Sequence, residues 1–144
     1  MVQKIVLPLD LDEESSWRKA LPAAVDFARH SGAQLHVMTV VPDEHVRMTI
    51  VAQLIPEGYE QRILDDAMQR LSALLKQHAP DDLPIQQAVR RGSIYKEILR
   101  YARDTEADLV IMAAHRPEMR DYLLGPNAAQ IVRHADCSVW VVRE

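Results

Sequence analysis

Short runs of apolar, largely β-branched residues alternate with longer stretches of helical period along this chain, and that alternation restricts its fold more than any other feature. Lys4–Pro8, Gln34–Val41, Ile85–Arg90, Leu109–Ala113 and Ser138–Val142 read as strands. Trp17, Ala20, Leu21, Ala24, Val25 and Ala28 mark one face of a first helix, with Glu13 and Glu14 at its acidic start and Ser31-Gly32 as its stop. Ile63, Leu64, Ala67, Met68, Leu71, Leu74 and Leu75 form the stripe of a second helix, broken by Ala79-Pro80-Asp81-Asp82. Gly92-Ser93 turns into a third, with Ile94, Ile98, Tyr101 and Ala102 inward, and Asn127–Ala135 is a last short helix. Residues 43–58, with Pro56 and Gly58, read as a long connection, and Ala114–Leu124 as a polar loop. Strands separated by helices give a parallel sheet covered on both faces through right-handed crossovers. Leu109–Ala113 is apolar throughout, as a central strand should be, whereas Ile85–Arg90 alternates and suits an edge. Ligands of such sheets sit at the carboxyl ends of the strands, near the reversal in strand order. Four places follow: Pro8-Leu9-Asp10, Val40-Val41-Pro42, Arg90-Arg91-Gly92, and the loop from Ala113 to Asn127.

The length of 144 residues predicts one domain, residues 1–144. Hydrophobic residues at 48% against 26% charged exclude a disordered chain. The net charge of −4, with no long basic run, argues against partners that need clustered Lys and Arg, namely nucleic acid and anionic membrane surfaces. The single Cys137 excludes an internal disulfide framework and fits a reducing compartment. The opening Met1–Pro8 is too short and too soon interrupted for a signal peptide, and Leu109–Ala114 is far below a membrane span. The expectation is a soluble cytoplasmic domain.

Few residues offer chemistry. Asp10 follows directly on the first strand and serves either as a turn aspartate or as a ligand group at the sheet edge. Gly125-Pro126-Asn127 opens the last helix. Glycine there allows close backbone approach or a positive φ beside an anion-binding helix start, although Pro126 at the first helical position is also an ordinary helix beginning. Neither GxxxxGK[ST] nor GxGxxG is present. The six histidines show no HxH or HExxH spacing, so no metal site is expected. His134 and Cys137 flank a helix–strand junction, where a half-buried cysteine in an apolar setting is the favoured reading over a nucleophile. Asp65-Asp66 and Asp81-Asp82 fall on a solvated helix face and in a turn. His115 and Arg116 follow the fourth strand, where the arginine fork suits phosphate oxygens.

Ala107–Pro117, Tyr122–Ala129 and Val132–Val142 together resemble the universal stress protein family, as do the opening Ile5–Asp10 and the second strand Leu35–Val40. The likeness spans essentially the whole chain, and its closing portion is similar to the F/G-type bacterial members. The resemblance implies a five-stranded parallel sheet of order 3-2-1-4-5 with helices on both faces. It implies a homodimer through the last strand, lined here by Val139, Trp140, Val141 and Val142. It also implies an adenine nucleotide, ATP or AMP, with Mg²⁺ as an optional companion and no redox cofactor. By resemblance Pro8, Leu9 and Asp10 flank the base and ribose, Val40 gives backbone contacts to adenine, and Met112 and Asn127 complete the pocket, with Ala113, His115, Arg116, Gly125 and Pro126 along the phosphate path.

Against the family's G-x2-G-x9-G-[ST] pattern, Ala113 and Arg116 stand at the first two glycine positions and eight residues separate Arg116 from Gly125. Pro126 stands where a Ser or Thr would add a hydroxyl, and it removes the N–H as well. The function implied is a dimeric, nucleotide-binding stress-response regulator with an unidentified protein partner. The alternatives are a nucleotide-free interaction module, with Pro126 marking a lost site, and a weak ATPase or self-phosphorylating enzyme using His115 and Arg116. With no visible general base, catalytic residues are not assigned.

Overall fold

A computed structural model describes residues 1–43, 57–114 and 125–143. Its elements run β1 (Lys4–Pro8), a 3₁₀ turn (Glu14–Ser16), α1 (Ala20–Ser31), β2 (Gln34–Pro42), α2 (Tyr59–His78), β3 (Ile85–Gly92), α3 (Ile94–Asp104), β4 (Leu109–Ala113), α4 (Pro126–His134) and β5 (Ser138–Val142). The strands form one five-stranded parallel sheet of order β3-β2-β1-β4-β5, as the resemblance implies.

β1 sits at the centre, pairing with β2 from Lys4↔Gln34 to Pro8↔Met38 and with β4 at Ile5↔Leu109 and Val6↔Val110. Alternate residues of the strands face opposite sides of the sheet, and the core divides accordingly. Ile5, Leu7, Leu35, Val37, Leu109 and Ile111 pack against Leu21, Ala24 and Ala28 of α1 and Leu71 and Leu75 of α2. Val6, Met38, Val110 and Met112 pack on the other face against Ile98, Leu99 and Tyr101 of α3 and Ala128 and Ile131 of α4. Full burial of each Val, Leu, Ile or Met among them contributes about 1.5–3 kcal/mol.

The first helix starts later than its apolar stripe suggests. Trp17 lies outside α1 and caps the 3₁₀ turn, because Pro22 lacks an N–H and its ring opposes the carbonyl four residues back. Within the first turn of a helix beginning at Ala20, the missing donor has no intrahelical partner to lose. At the other end Gly32 takes φ 71, the left-handed stop expected of Ser31-Gly32. β3 runs two residues beyond Arg90, to Gly92 at φ 138, where an added Cβ would stand 3.2 Å from Glu97 Cγ. Asp108, in the turn before β4, accepts the backbone N–H groups of Gln3 at 2.7 Å and Lys4 at 2.9 Å, and those bonds hold its carboxyl below the usual range.

His36 is a buried polar group bonded to Tyr101 of the second core. Its Nδ1 lies 3.0 Å from the Tyr101 hydroxyl and its Nε2 3.1 Å from Gln34 Oε1, while the Arg90 guanidinium sits 5.1 Å from the Tyr101 ring centre. Gln34 Oε1 accepts only, so Nε2 carries the hydrogen and Nδ1 accepts from the tyrosine. Protonating Nδ1 would turn that acceptor into a donor. Burial, followed by the charge of Lys4, pushes the imidazole below its ordinary 6.5. The unfolded chain then binds a proton that the native chain resists, so stability from this site is present above pH 6.5 and falls as pH drops below it. We expect His36→Gln to flatten this part of the acid limb. Urea midpoints measured from pH 8 to 5 should diverge between the two proteins below 6.5, and parallel curves would remove His36 as the cause.

Candidate functional site

The carboxyl ends of β1, β2 and β4 open into a cleft of about 380 Å³. It lies where the chain reverses from β1 towards β4, because the β1–β2–β3 crossovers occupy one face and the later helices the other. Its apolar wall comes from Val40 and Val41 of β2, Ile63 and Ala67 of α2, Ile94 and Ile98 of α3, and Met112 of β4. Polar groups enter from the β1 loop (Asp10, Asp12, Glu13, Ser15, Ser16), from α2 (Asp66, Arg70) and from the start of α4 (Asn127).

The β1 loop is held by its own hydrogen bonds. The Asp10 N–H donates to Ser16 Oγ at 2.8 Å, and Ser16 Oγ lies 2.9 Å from the Asp10 carbonyl and 2.7 Å from that of Glu13. The Asp12 N–H donates to Asp10 Oδ1 at 2.9 Å, an Asx turn. Asp10 is therefore a turn aspartate as well as an exposed carboxylate on the cleft. A carboxylate offers about four lone-pair sites, so the turn bond leaves capacity for a ligand hydroxyl.

At the opposite wall Gly125 is the N-cap of α4, buried and extended at φ −70, ψ 166. A positive φ is not what glycine supplies here; the close approach of its backbone to the cleft is. Pro126 occupies the first helical position, exposed and outside the cleft lining, while Asn127 and Ala128 line it. The first helix-terminal N–H groups available at this wall are thus those of Asn127 and Ala128, which lack intrahelical acceptors.

Pro8, Leu9, Asp10, Val40, Met112, Ala113, Gly125 and Asn127 all line the cleft, brought together from four separate stretches of chain. His115 and Arg116 lie outside the described residues. Val139, Trp140, Val141 and Val142 form β5 at the sheet edge, away from the cleft. Asp65 and Asp66 are both exposed, as a solvated helix face should be, and Asp66 also lines the cleft. Arg70 also lines it, and its Nη2 donates to Asp12 Oδ1 at 2.7 Å. The signal for both was their four-residue spacing on one side of α2, next to the apolar stripe. Among the described residues no cluster of three His, Cys, Asp or Glu side chains could hold a metal. Cys137 is half-buried at the far end of the sheet, and burial pushes its thiol up.

Replacing Ser16 by Ala removes the acceptor of the Asp10 N–H and the hydroxyl that ties the loop together. The expected cost is about 1 kcal/mol of unfolding free energy for an exposed hydrogen-bonded hydroxyl. Denaturant titration should find it, and an unchanged midpoint would show that the loop holds without it.

The universal stress protein family model matches residues 1–143. Universal stress protein G of Shigella flexneri is 29% identical over 143 residues, 99% of this chain and 100% of that protein. Among solved structures, a universal stress protein in complex with cAMP aligns at TM-score 0.62 and 24% identity over 99% of this chain and 97% of that one. A universal stress protein family protein from Arabidopsis thaliana with AMP bound aligns at TM-score 0.61 and 11% identity, covering 99% and 92%. At these identities the two structures carry the fold alone.

Proposed function

This chain belongs to the universal stress protein family, and we propose that it binds an adenine nucleotide in the cleft and acts as a dimeric regulator of the stress response. The observation that carries the reading is the convergence of Pro8, Asp10, Val40, Met112, Gly125 and Asn127 on one cleft, in a fold whose solved relatives include complexes with AMP and cAMP. A flat base suits the apolar wall of Val40, Ile94 and Met112, and Asp10 accepts from the ribose hydroxyls. The 5′-phosphate chain then runs towards the N–H groups of Asn127 and Ala128 at the positive end of α4. Mg²⁺ accompanies the phosphates where ATP is the ligand, and Arg116, outside the described residues, is the side chain offered for phosphate contact. The protein works as one cytoplasmic domain, residues 1–144, with a protein partner yet to be identified. No helix among the described residues is long and apolar enough to cross a membrane.

A second reading, a nucleotide-free interaction module, is favoured by Pro126 alone. It stands at the helix start with neither hydroxyl nor N–H, turned out of the cleft. Titration calorimetry with ATP and AMP separates the two readings. In the same experiment Asp10→Ala should lose about 1.5–3 kcal/mol of binding, the worth of a charge-assisted hydrogen bond, or roughly ten- to hundredfold in affinity. Unchanged affinity would take Asp10 out of the site, and no heat from either nucleotide would favour the module.

The dimer rests on the two edges of the sheet. The β3 edge is polar, with Gln86 and Gln87 exposed, whereas β5 carries Val139, Trp140, Val141 and Val142 in succession. Trp140 is 40% exposed and packs edge-on to Phe27 at 6.0 Å. An apolar edge with free backbone groups is a template for another strand, and a second copy of β5 would cover it. Val141→Lys should therefore give monomer in sedimentation velocity. A dimer that persists would place the interface elsewhere.

A further inference from the structure

The α2 wall of the cleft carries charge for which the nucleotide reading has no use. Arg70 reaches across to the β1 loop and bonds Asp12, with the two side chains 48% and 62% exposed. An ion pair so exposed adds little to stability. Its setting is nonetheless particular. The charges of Asp66 and Asp10 also act on this guanidinium, and Glu13 lines the same cleft. Among the described lining residues four carboxylates stand against one arginine, whose fork is already engaged.

That balance bears on which nucleotides fit. In dinucleotide-binding folds an acidic side chain pairs with a free ribose hydroxyl, whereas an arginine accommodates a ribose phosphate. Here the arginine stands close to Asp10, the proposed ribose acceptor, but it is outnumbered and held by Asp12. A phosphate on the 5′ chain leads away towards α4. A phosphate monoester projecting from the 2′ or 3′ oxygen would enter the field of Asp10, Asp12 and Asp66. We propose that Asp12 and Asp66, with Arg70 bonded to Asp12, are specificity-determining residues that admit AMP and exclude adenine nucleotides carrying a phosphate monoester on the 2′ or 3′ oxygen. The inference rests on the nucleotide reading of the same cleft.

Calorimetry with AMP, adenosine 2′,5′-bisphosphate and adenosine 3′,5′-bisphosphate tests it. AMP should bind about tenfold or more tighter than either bisphosphate, the scale of a like-charge pair in a partly solvated cleft. Added salt should narrow that ratio by screening. Asp66→Asn should narrow it as well. Asp12→Asn should narrow it further, since it removes a charge and frees the Arg70 fork for the phosphate. Arg70→Gln should widen it. Ratios are compared so that a general loosening of the cleft cancels, and the wild-type ratio with its salt dependence decides even if a variant fails to fold. Bisphosphates that bind as well as AMP, or a ratio that salt leaves unmoved, overturn the filter and leave the nucleotide reading standing. Failure of all three ligands to bind overturns both.

Discussion

β1 is paired on both edges and buried on both faces, and the rest of the molecule is arranged around that fact. Ile5, Val6 and Leu7 are fully buried, and their alternation sends Ile5 and Leu7 into one core and Val6 into the other. The chain leaves β1 through β2 to β3 on one side, then crosses back to β4 on the other. Right-handed crossovers therefore place α1 and α2 on one face and α3 and α4 on the opposite face. At the carboxyl end of β1 the two sets of connections part in opposite directions, and the space they leave is the cleft. Its position is a consequence of topology before any side chain is chosen.

What the cleft can hold follows from the groups at its rim. Its apolar wall and its helix-terminal N–H groups are ordinary products of the packing. The carboxylates are different, because nothing in the core requires Asp10, Asp12 and Asp66 to share an opening with Arg70. Asp10 performs two tasks there. Its Oδ1 closes the Asx turn that sets the loop, and its remaining lone pairs face the solvent-accessible side. The turn reading of Asp10 is thus met in the structure, and the exposed carboxylate stays on the cleft beside it.

The fold was legible because burial on both faces leaves a strong trace: Leu109–Ala113 could hardly be anything but an inner strand, and the stripe from Ile63 to Leu75 anything but a helix face. The start of α1 was misjudged because the apolar period runs through Trp17 while the backbone, constrained by Pro22, does not. Of the residues quoted from the family likeness, Pro8, Leu9, Asp10, Val40, Met112, Ala113, Gly125 and Asn127 line the cleft and Pro126 does not, whereas Asp66, Arg70 and Asp12 were invisible as a group. Their proximity is tertiary, spanning 58 positions between Arg70 and Asp12, and a charged residue bordering a helix stripe looks the same in sequence whether water or a cleft lies beyond it. His36 was likewise one histidine among several until the pairing of β2 with α3 gave it Tyr101 as a partner.

The two edges of the sheet complete the physical picture, since an open parallel sheet must deal with both. β3 is dealt with inside the chain. Gln87 accepts from Ser72 of α2 at 2.6 Å, and Arg91 reaches Glu60 of α2 and Asp43 just after β2, so the strand is held by polar contacts that favour water over another strand. β5 has no such contacts among those described. Val139 packs against the second core and Val142 against the first, yet both stay only partly buried, and the backbone edge and 40% of Trp140 remain outside. Polar side chains on one edge and apolar ones on the other make the two edges of the sheet unequal templates for a further strand, with β5 the more receptive.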